Sequence, residues 1–198
     1  KESTPAVYTA PIIIDENCKL KYYAYHEGFP KTPWITSEFV KINNDKDIIL
    51  NIKPSPQYSA NGPTTLIDGI RGNEDFRLGG WLGYDSINLD AVVDLKQLKT
   101  IKKISIAFLQ DINAWILMPK EVEFFLSEDG TKFKSIGIVK NNIPQDKWGA
   151  LIKEFSLPLD MIQARYFRIV AKNNGVCPPG HKGNGAPAWI FCDEITFE

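Results

Sequence analysis

Residues 64–95, TTLIDGIRGNEDFRLGGWLGYDSINLDAVVDL, join a glycine-punctuated polar loop to a short apolar run. The loop half carries carboxylates, amides and aromatics. The strand half, Ala91-Val92-Val93-Asp94-Leu95, suits a buried strand. A polar loop welded to a strand is how a rigid β-scaffold displays a binding or metal site. Downstream, Ile104, Ile106 and Phe108 alternate with Ser105, Ala107 and Leu109, and Val122, Phe124 and Leu126 alternate with Glu121, Glu123 and Phe125. Glu128-Asp129-Gly130 is a hairpin turn. Strands are predicted over 133–139, 166–171 and 189–197, and loops over 141–146 and 173–187. Short strands between turn signals, with no long helical period, predict an all-β sandwich.

Upstream, residues 7–14 are β-branched and read as an edge strand that tolerates Pro11. Leu20, Tyr22 and Ala24 alternate with Lys21, Tyr23 and Tyr25. Gly28, Pro30 and Pro33 interrupt, and a strand resumes over 36–40. The polar run 43–47 reads as a hinge, and a new strand starts over 48–52. The boundary therefore falls between a small β unit, 1–43, and a sandwich, 44–198.

The chain has 198 residues, 43% of them hydrophobic and 12% aromatic, enough for a core with aromatic surface left over. A formal net charge of −1 gives no field that draws nucleic acid or an anionic membrane. No run approaches the ~20 apolar residues of a membrane span. The three cysteines, Cys18, Cys177 and Cys192, leave at least one free thiol. A Cys177–Cys192 bridge and a simply buried Cys192 both stay open. Two histidines cannot build a His-rich zinc site. The opening Lys1-Glu2-Ser3-Thr4-Pro5, with no visible signal peptide, reads as a cut inside a longer protein.

In order, Ile67-Asp68-Gly69, Val93-Asp94-Leu95, Ser127-Glu128-Asp129-Gly130, Ala164-Arg165-Tyr166-Phe167-Arg168 and Asp193-Glu194-Ile195 resemble the discoidin, or coagulation factor 5/8 type C, superfamily. The resemblance covers about residues 47–198 and implies an eight-stranded jelly roll of the galactose-binding-domain type. Trp81-Leu82-Gly83, Phe108-Leu109-Gln110-Asp111, Trp115-Ile116-Leu117-Met118-Pro119 and Ala188-Trp189-Ile190-Phe191 are similar to the C-terminal module of Bacteroidetes-type chitobiases and β-hexosaminidases. Tyr8-Thr9-Ala10-Pro11-Ile12, Leu20 to Tyr25 and Ser37-Glu38-Phe39-Val40-Lys41 look like the end of the small fibronectin-III-like β-module that follows the barrel in those enzymes. Residues 1–43 then correspond to a truncated module.

The resemblance implies two sites. One Ca²⁺ would sit beside the Asp-Gly loop, held by the Asp68 and Glu194 carboxylates and by carbonyls of Thr65, Ile70 and Asn73. Six to eight hard oxygens suit this ion. The bland alternative is that Asp68 caps its own turn and Glu194 pairs with a base. For sugar, galactose-binding relatives place a His and an aromatic near 82–86 and an Arg near 110–111. Here those positions hold Tyr84, Asp85, Gln110 and Asp111, so the Arg is missing. Trp115 at a loop tip is the stacking candidate, with Arg71 and Asn113 in reach of the same end; Trp115 in the core is the alternative. Trp81 and Trp189 read as core and Trp148 as a loop aromatic. His181 reads as solvated or holding a carbonyl, with ligand contact as the other option.

Glycoside hydrolysis needs two carboxyls at a set separation. Asp193 and Glu194, adjacent on a strand, are expected to face opposite sides. No nucleophile triad or phosphate loop is present, so catalysis is not expected of this chain. The expected role is a non-catalytic, carbohydrate-binding accessory region of an extracellular, periplasmic or outer-membrane bacterial glycoside hydrolase. Its partners would be a terminal hexosamine or galactose-type glycan and the parent's catalytic domain, with no nucleic acid and no membrane insertion. The alternative is a structural or dimerisation module without a sugar site.

Overall fold

The computed structural model describes residues 5–42 and 46–198. Lys1 to Thr4, and Asn43, Asn44 and Asp45 of the expected hinge, lie outside the described residues. Strand β1 (Cys18–Tyr22) pairs with β2 (Ile35–Phe39) as an antiparallel hairpin. The sandwich is built from β3 (Asp47–Leu50), β4 (Leu82–Asp85), β5 (Leu89–Gln110), β6 (Glu121–Ser127), β7 (Lys134–Lys140), β8 (Leu151–Ala171) and β9 (Trp189–Phe197). The pairings between these strands are antiparallel; an isolated parallel bridge joins Ile116 to Trp189 at the start of β9.

Two long strands serve both layers. The N-terminal part of β5 lies between β3 and the C-terminal part of β8, which continues to β6 and β7. The C-terminal part of β5 lies between β9 and the N-terminal part of β8, with β4 beyond β9. The switch occurs where register slips between Asp94 and Lys99. Lys96 (φ 64°) and Met161 (φ 50°) take the left-handed conformation near these bends. Bulges sharpen local twist, which is how a strand turns a corner between sheets. The jelly-roll reading holds: among the described residues the sandwich has seven continuous strands, and β5 and β8 each run through two layers.

The core between the layers takes Leu82, Ile104, Ile106, Phe108 and Phe155 from one side and Leu89, Val93, Val122, Phe124, Phe167 and Ile169 from the other. Each such side chain contributes roughly 1.5–3 kcal/mol by burial. A second cluster, Trp81, Leu109, Ile116 and Phe191, covers the outer face of β4, β9 and β5, with Tyr58, Phe76 and Trp189 leaning on it. Residues 104–110 are therefore buried on both faces, not alternately as their pattern predicts. Asp90 receives Arg168 through two bonds, at 2.8 and 2.6 Å. Burial raises its carboxyl, but Arg168 and Asn51 prevail and hold it below the usual range.

Two expectations fail locally. Residues 7–14 form no strand, and Val7 and Ile13 are exposed. β-branching alone does not make a strand without a partner edge. Conversely, β8 begins at Leu151, well before residue 166. Pro158, opposite Lys103 beside a register slip, hides that continuity in the sequence. Cys192 and Cys177 are both buried and unbridged; Cys192 Sγ faces the Leu82 carbonyl.

Candidate functional site

The glycine loop and β9 meet at a joint. Register slips between Ile106 and Ala107, so that Ile106 faces Ile195 and Ala107 faces Asp193, leaving Glu194 as the extra residue of a bulge. A regular strand would send the Asp193 and Glu194 carboxylates to opposite faces. The bulge instead turns both onto the 68–72 loop. Glu194 Oε2 accepts from the Gly69 amide at 2.8 Å, and Asp193 Oδ2 accepts from the Gly72 amide at 2.6 Å. Asp68 Oδ1 accepts from the Ile70 amide at 2.9 Å, capping its own turn.

The loop's other edge pairs with β2. Val40 N donates to Gly69 O at 2.6 Å, Arg71 N donates to Glu38 O at 2.9 Å, and Asn73 Nδ2 donates to Thr36 O at 2.8 Å. Gly69 has φ +76°, and a Cβ there would sit 2.2 Å from the Val40 carbonyl oxygen. Only glycine meets both demands.

Burial pushes the Asp193 carboxyl up to about 7 and the Glu194 carboxyl up to about 8. Asp68 repels both, and Asp193 repels Glu194; Arg71 and Lys46 act in the opposite direction. Burial also raises Asp68. Among the described residues, no three His, Cys, Asp or Glu side chains converge as metal ligands. A cation here would therefore draw on carbonyls as well. Crowded carboxyls beside a turning loop are the donor chemistry of a hard divalent ion, so the residues fit one. The Asn73 carbonyl accepts from Trp81 Nε1 at 2.9 Å, leaving one lone pair. The Thr65 hydroxyl already accepts from Asn61 N at 2.9 Å, so Thr65 would contribute its carbonyl.

The cleft lies elsewhere. Where β5 ends, the 3-10 turn Ile112–Ala114 and Trp115 face Gln145, Asp146 and Trp148 and the 178–182 loop across about 480 Å³. Trp115 is 40% exposed and Trp148 63% exposed, so each indole presents part of its surface to the cleft. Trp115 ends its turn with φ 62°, a conformation unusual for a bulky residue. A Cβ at Gly183 would lie 2.8 Å from Trp115 Nε1, so that backbone is flush against the indole. Lys182 Nζ stands 5.6 Å over the Trp148 ring. His181 Nδ1 accepts from Gly183 N at 2.9 Å, which assigns the proton to Nε2, 2.7 Å from the Ile112 carbonyl. His181 holds a carbonyl and ties the 178–182 loop to the 112–114 turn.

Of the sugar candidates read from sequence, Asn113 and Trp115 line this cleft. Asp111 borders a neighbouring depression and caps the turn, its Oδ1 accepting from Asn113 N at 3.1 Å. The others require correction. Tyr84 is fully buried in the core and cannot stack on a ligand. Gln110 is 0% exposed; its Nε2 donates to the Pro144 and Lys147 carbonyls and its Oε1 accepts from Met118 N. Asp85 is exposed at the end of β4 but lines none of the clefts described. Arg71 belongs to the joint, paired with Glu154 at 2.6 Å. Gln145, Asp146 and Lys182 were not predicted; the only sequence signal for them is the pair of long polar loops that carry them.

A lectin, a fucolectin from striped bass (Morone saxatilis) serum, superposes with a TM-score of 0.52 at 15% identity, covering 77% of this chain and 46% of its own. CpGH89CBM32-5 of Clostridium perfringens, solved with GalNAc-β-1,3-galactose, gives 0.49 at 15% identity, over 77% of this chain and 94% of that one. The C-terminal domain of a Bacteroides fragilis chitobiase gives 0.42 at 22% identity, over 78% and 93%. No curated protein matches. The F5/8 type C domain model matches residues 51–189, most of the chain and nearly all of the sandwich. The chain belongs to the F5/8 type C, or discoidin, domain family.

Proposed function

We propose that the chain is a non-catalytic carbohydrate-binding module that holds a glycan in the cleft between Trp115 and Trp148. The observation that carries this is a concave site with two half-open indoles and convergent polar groups on Asn113, Gln145, Asp146 and Lys182. Apolar ring faces receive the C–H face of a sugar, and the polar groups take its hydroxyls. The family fold, shared with a lectin, supports the same reading. The finer reading is a terminal N-acetylhexosamine or galactose-type glycan. The parent would be a secreted or outer-membrane glycoside hydrolase of the chitobiase or β-hexosaminidase type. Holding the glycan beside a catalytic domain raises its effective concentration even when affinity is weak.

A glycan array followed by calorimetry on the best binder tests this. Trp115→Ala and Trp148→Ala should each lower affinity by about 30-fold, the loss typical of a buried aromatic anchor. No glycan above background would favour a purely structural module.

A calcium ion at the joint belongs to the same reading. Asp68 and Glu194 would supply carboxylate oxygens, and Thr65, Ile70 and Asn73 backbone carbonyls. Its role would be to neutralise the crowded carboxyls and fasten the loop to β9. Saturating Ca²⁺ should raise the melting temperature by roughly 5–10 °C, reversed by EGTA, since an ion that binds only the native state stabilises it by mass action. Glu194→Gln should blunt that rise; an unchanged melting curve would remove the metal.

A further inference from the structure

The Trp115–Trp148 cleft does not stand alone. Asn113 forms its rim and also the rim of a second depression of about 470 Å³, where Asp75, Phe76 and Arg77 face Ala114. Phe76 and Ala114 are in turn shared with a third, of about 190 Å³, walled by Gln57, Tyr58 and Trp189. The three hollows thus adjoin one another, each sharing wall residues with the next, around one short turn, Ile112–Ala114. Single ligand sites span roughly 300–1,000 Å³, so each of the first two is large enough on its own.

From this continuity we infer that the module binds an oligosaccharide along a groove, with further sugar units passing over Asn113 toward Arg77 and Tyr58. The inference rests on the carbohydrate reading above and extends it. The chemistry changes along the track as a chain ligand requires. Indoles stand at the first lobe, a charged fork at the middle, and aromatics again at the far lobe. The Arg77 guanidinium is held in plane by Asp75, with Nε at 2.7 Å and Nη2 at 2.9 Å from its two carboxylate oxygens. Two of its five N–H groups serve that bond, which leaves three donors on the exposed guanidinium. A fixed fork loses little freedom when it binds vicinal hydroxyls. Tyr58 stacks edge-on against Phe76 at 5.9 Å and Trp189 at 5.3 Å, so the far wall is rigid.

The test is calorimetric titration with N-acetylglucosamine and its β-1,4-linked dimer and trimer, and in parallel with galactose and lactose. In the wild type, affinity should rise about tenfold or more from monosaccharide to the longest oligomer that binds. Arg77→Ala and Gln57→Ala should remove that increment and leave monosaccharide affinity unchanged. Both side chains are exposed, and unchanged circular dichroism would certify the fold. Equal affinity for monomer and oligomer, or an Arg77→Ala loss as large for the monosaccharide, would overturn the groove. If no sugar binds the wild type, the carbohydrate reading itself fails and the groove falls with it. Trp115→Ala separates the two ideas, because it should weaken every sugar, long or short.

Discussion

Replacing Gln110 with leucine is expected to abolish glycan retention, although Gln110 lines no part of the cleft. The side chain is sealed from solvent. Its amide holds the Pro144 carbonyl at 3.1 Å, the Lys147 carbonyl at 3.4 Å and the Met118 amide at 3.3 Å. Leucine fills similar space and satisfies none of them. The Met118 amide is buried, and an unpaired buried group costs about 1–3 kcal/mol, whereas Pro144 and Lys147 are exposed and their carbonyls can turn to water, so the loss should be about 1–3 kcal/mol. That turn to water releases the segment that carries Trp148. Urea denaturation and glycan titration measure the two halves separately. Lower stability with intact glycan affinity would mean that Gln110 fastens the core and not the cleft wall.

Gly72→Ala should be the other severe substitution, at about 3 kcal/mol. An added Cβ would lie 2.3 Å from Trp81 Cε2 and 2.6 Å from Cζ2. Trp81 is 2% exposed, and its indole nitrogen is tied to the Asn73 carbonyl, so it cannot swing aside freely. Overpacking of this kind costs about 1–3 kcal/mol, and disturbing the indole bond adds to it. The signature is coupling. Gly72→Ala combined with Trp81→Leu should destabilise less than the sum of the two single changes, because leucine vacates the space the new methyl needs. Strict additivity in urea denaturation would show that the clash is not felt.

The architecture was legible because its signals are local. Turn residues such as Asp129-Gly130, the apolar alternation of β6 and the apolar run that opens β9 each declare themselves within a few residues. What the chain does at sheet corners is not local. The double burial of 104–110 depends on Trp81 and Phe191 arriving from elsewhere to cover the outer face. The bulge at Asp193 and Glu194 is a register event between two strands, so no reading of β9 alone reveals that both acids face one loop. The same limit explains the sugar candidates. Tyr84 and Gln110 were named by position in a family pattern, and position does not report which face of a strand is covered. Asn113, Trp115 and Trp148 lie in turns and loops whose tips project, which is why their residue types were informative. Their meeting across the cleft depends on Gln110 and His181, whose partners are remote in sequence.

The 69–73 segment also bears on how this unit can be moved between proteins. Its Gly69 and Gly72 amides donate to the β9 acids on one side, and the Gly69 carbonyl, the Arg71 amide and the Asn73 side-chain amide pair with residues 36–40 on the other. Asn17 Oδ1 accepts from Lys41 N at 2.7 Å and closes the far side of the hairpin. The transplantable piece is therefore longer than the family match. A graft that starts at β3 would keep the cleft and lose its bearing, since no hydrogen bonds would fix the angle to whatever precedes it. Carrying residues 17–42 along preserves the aim as well as the grip.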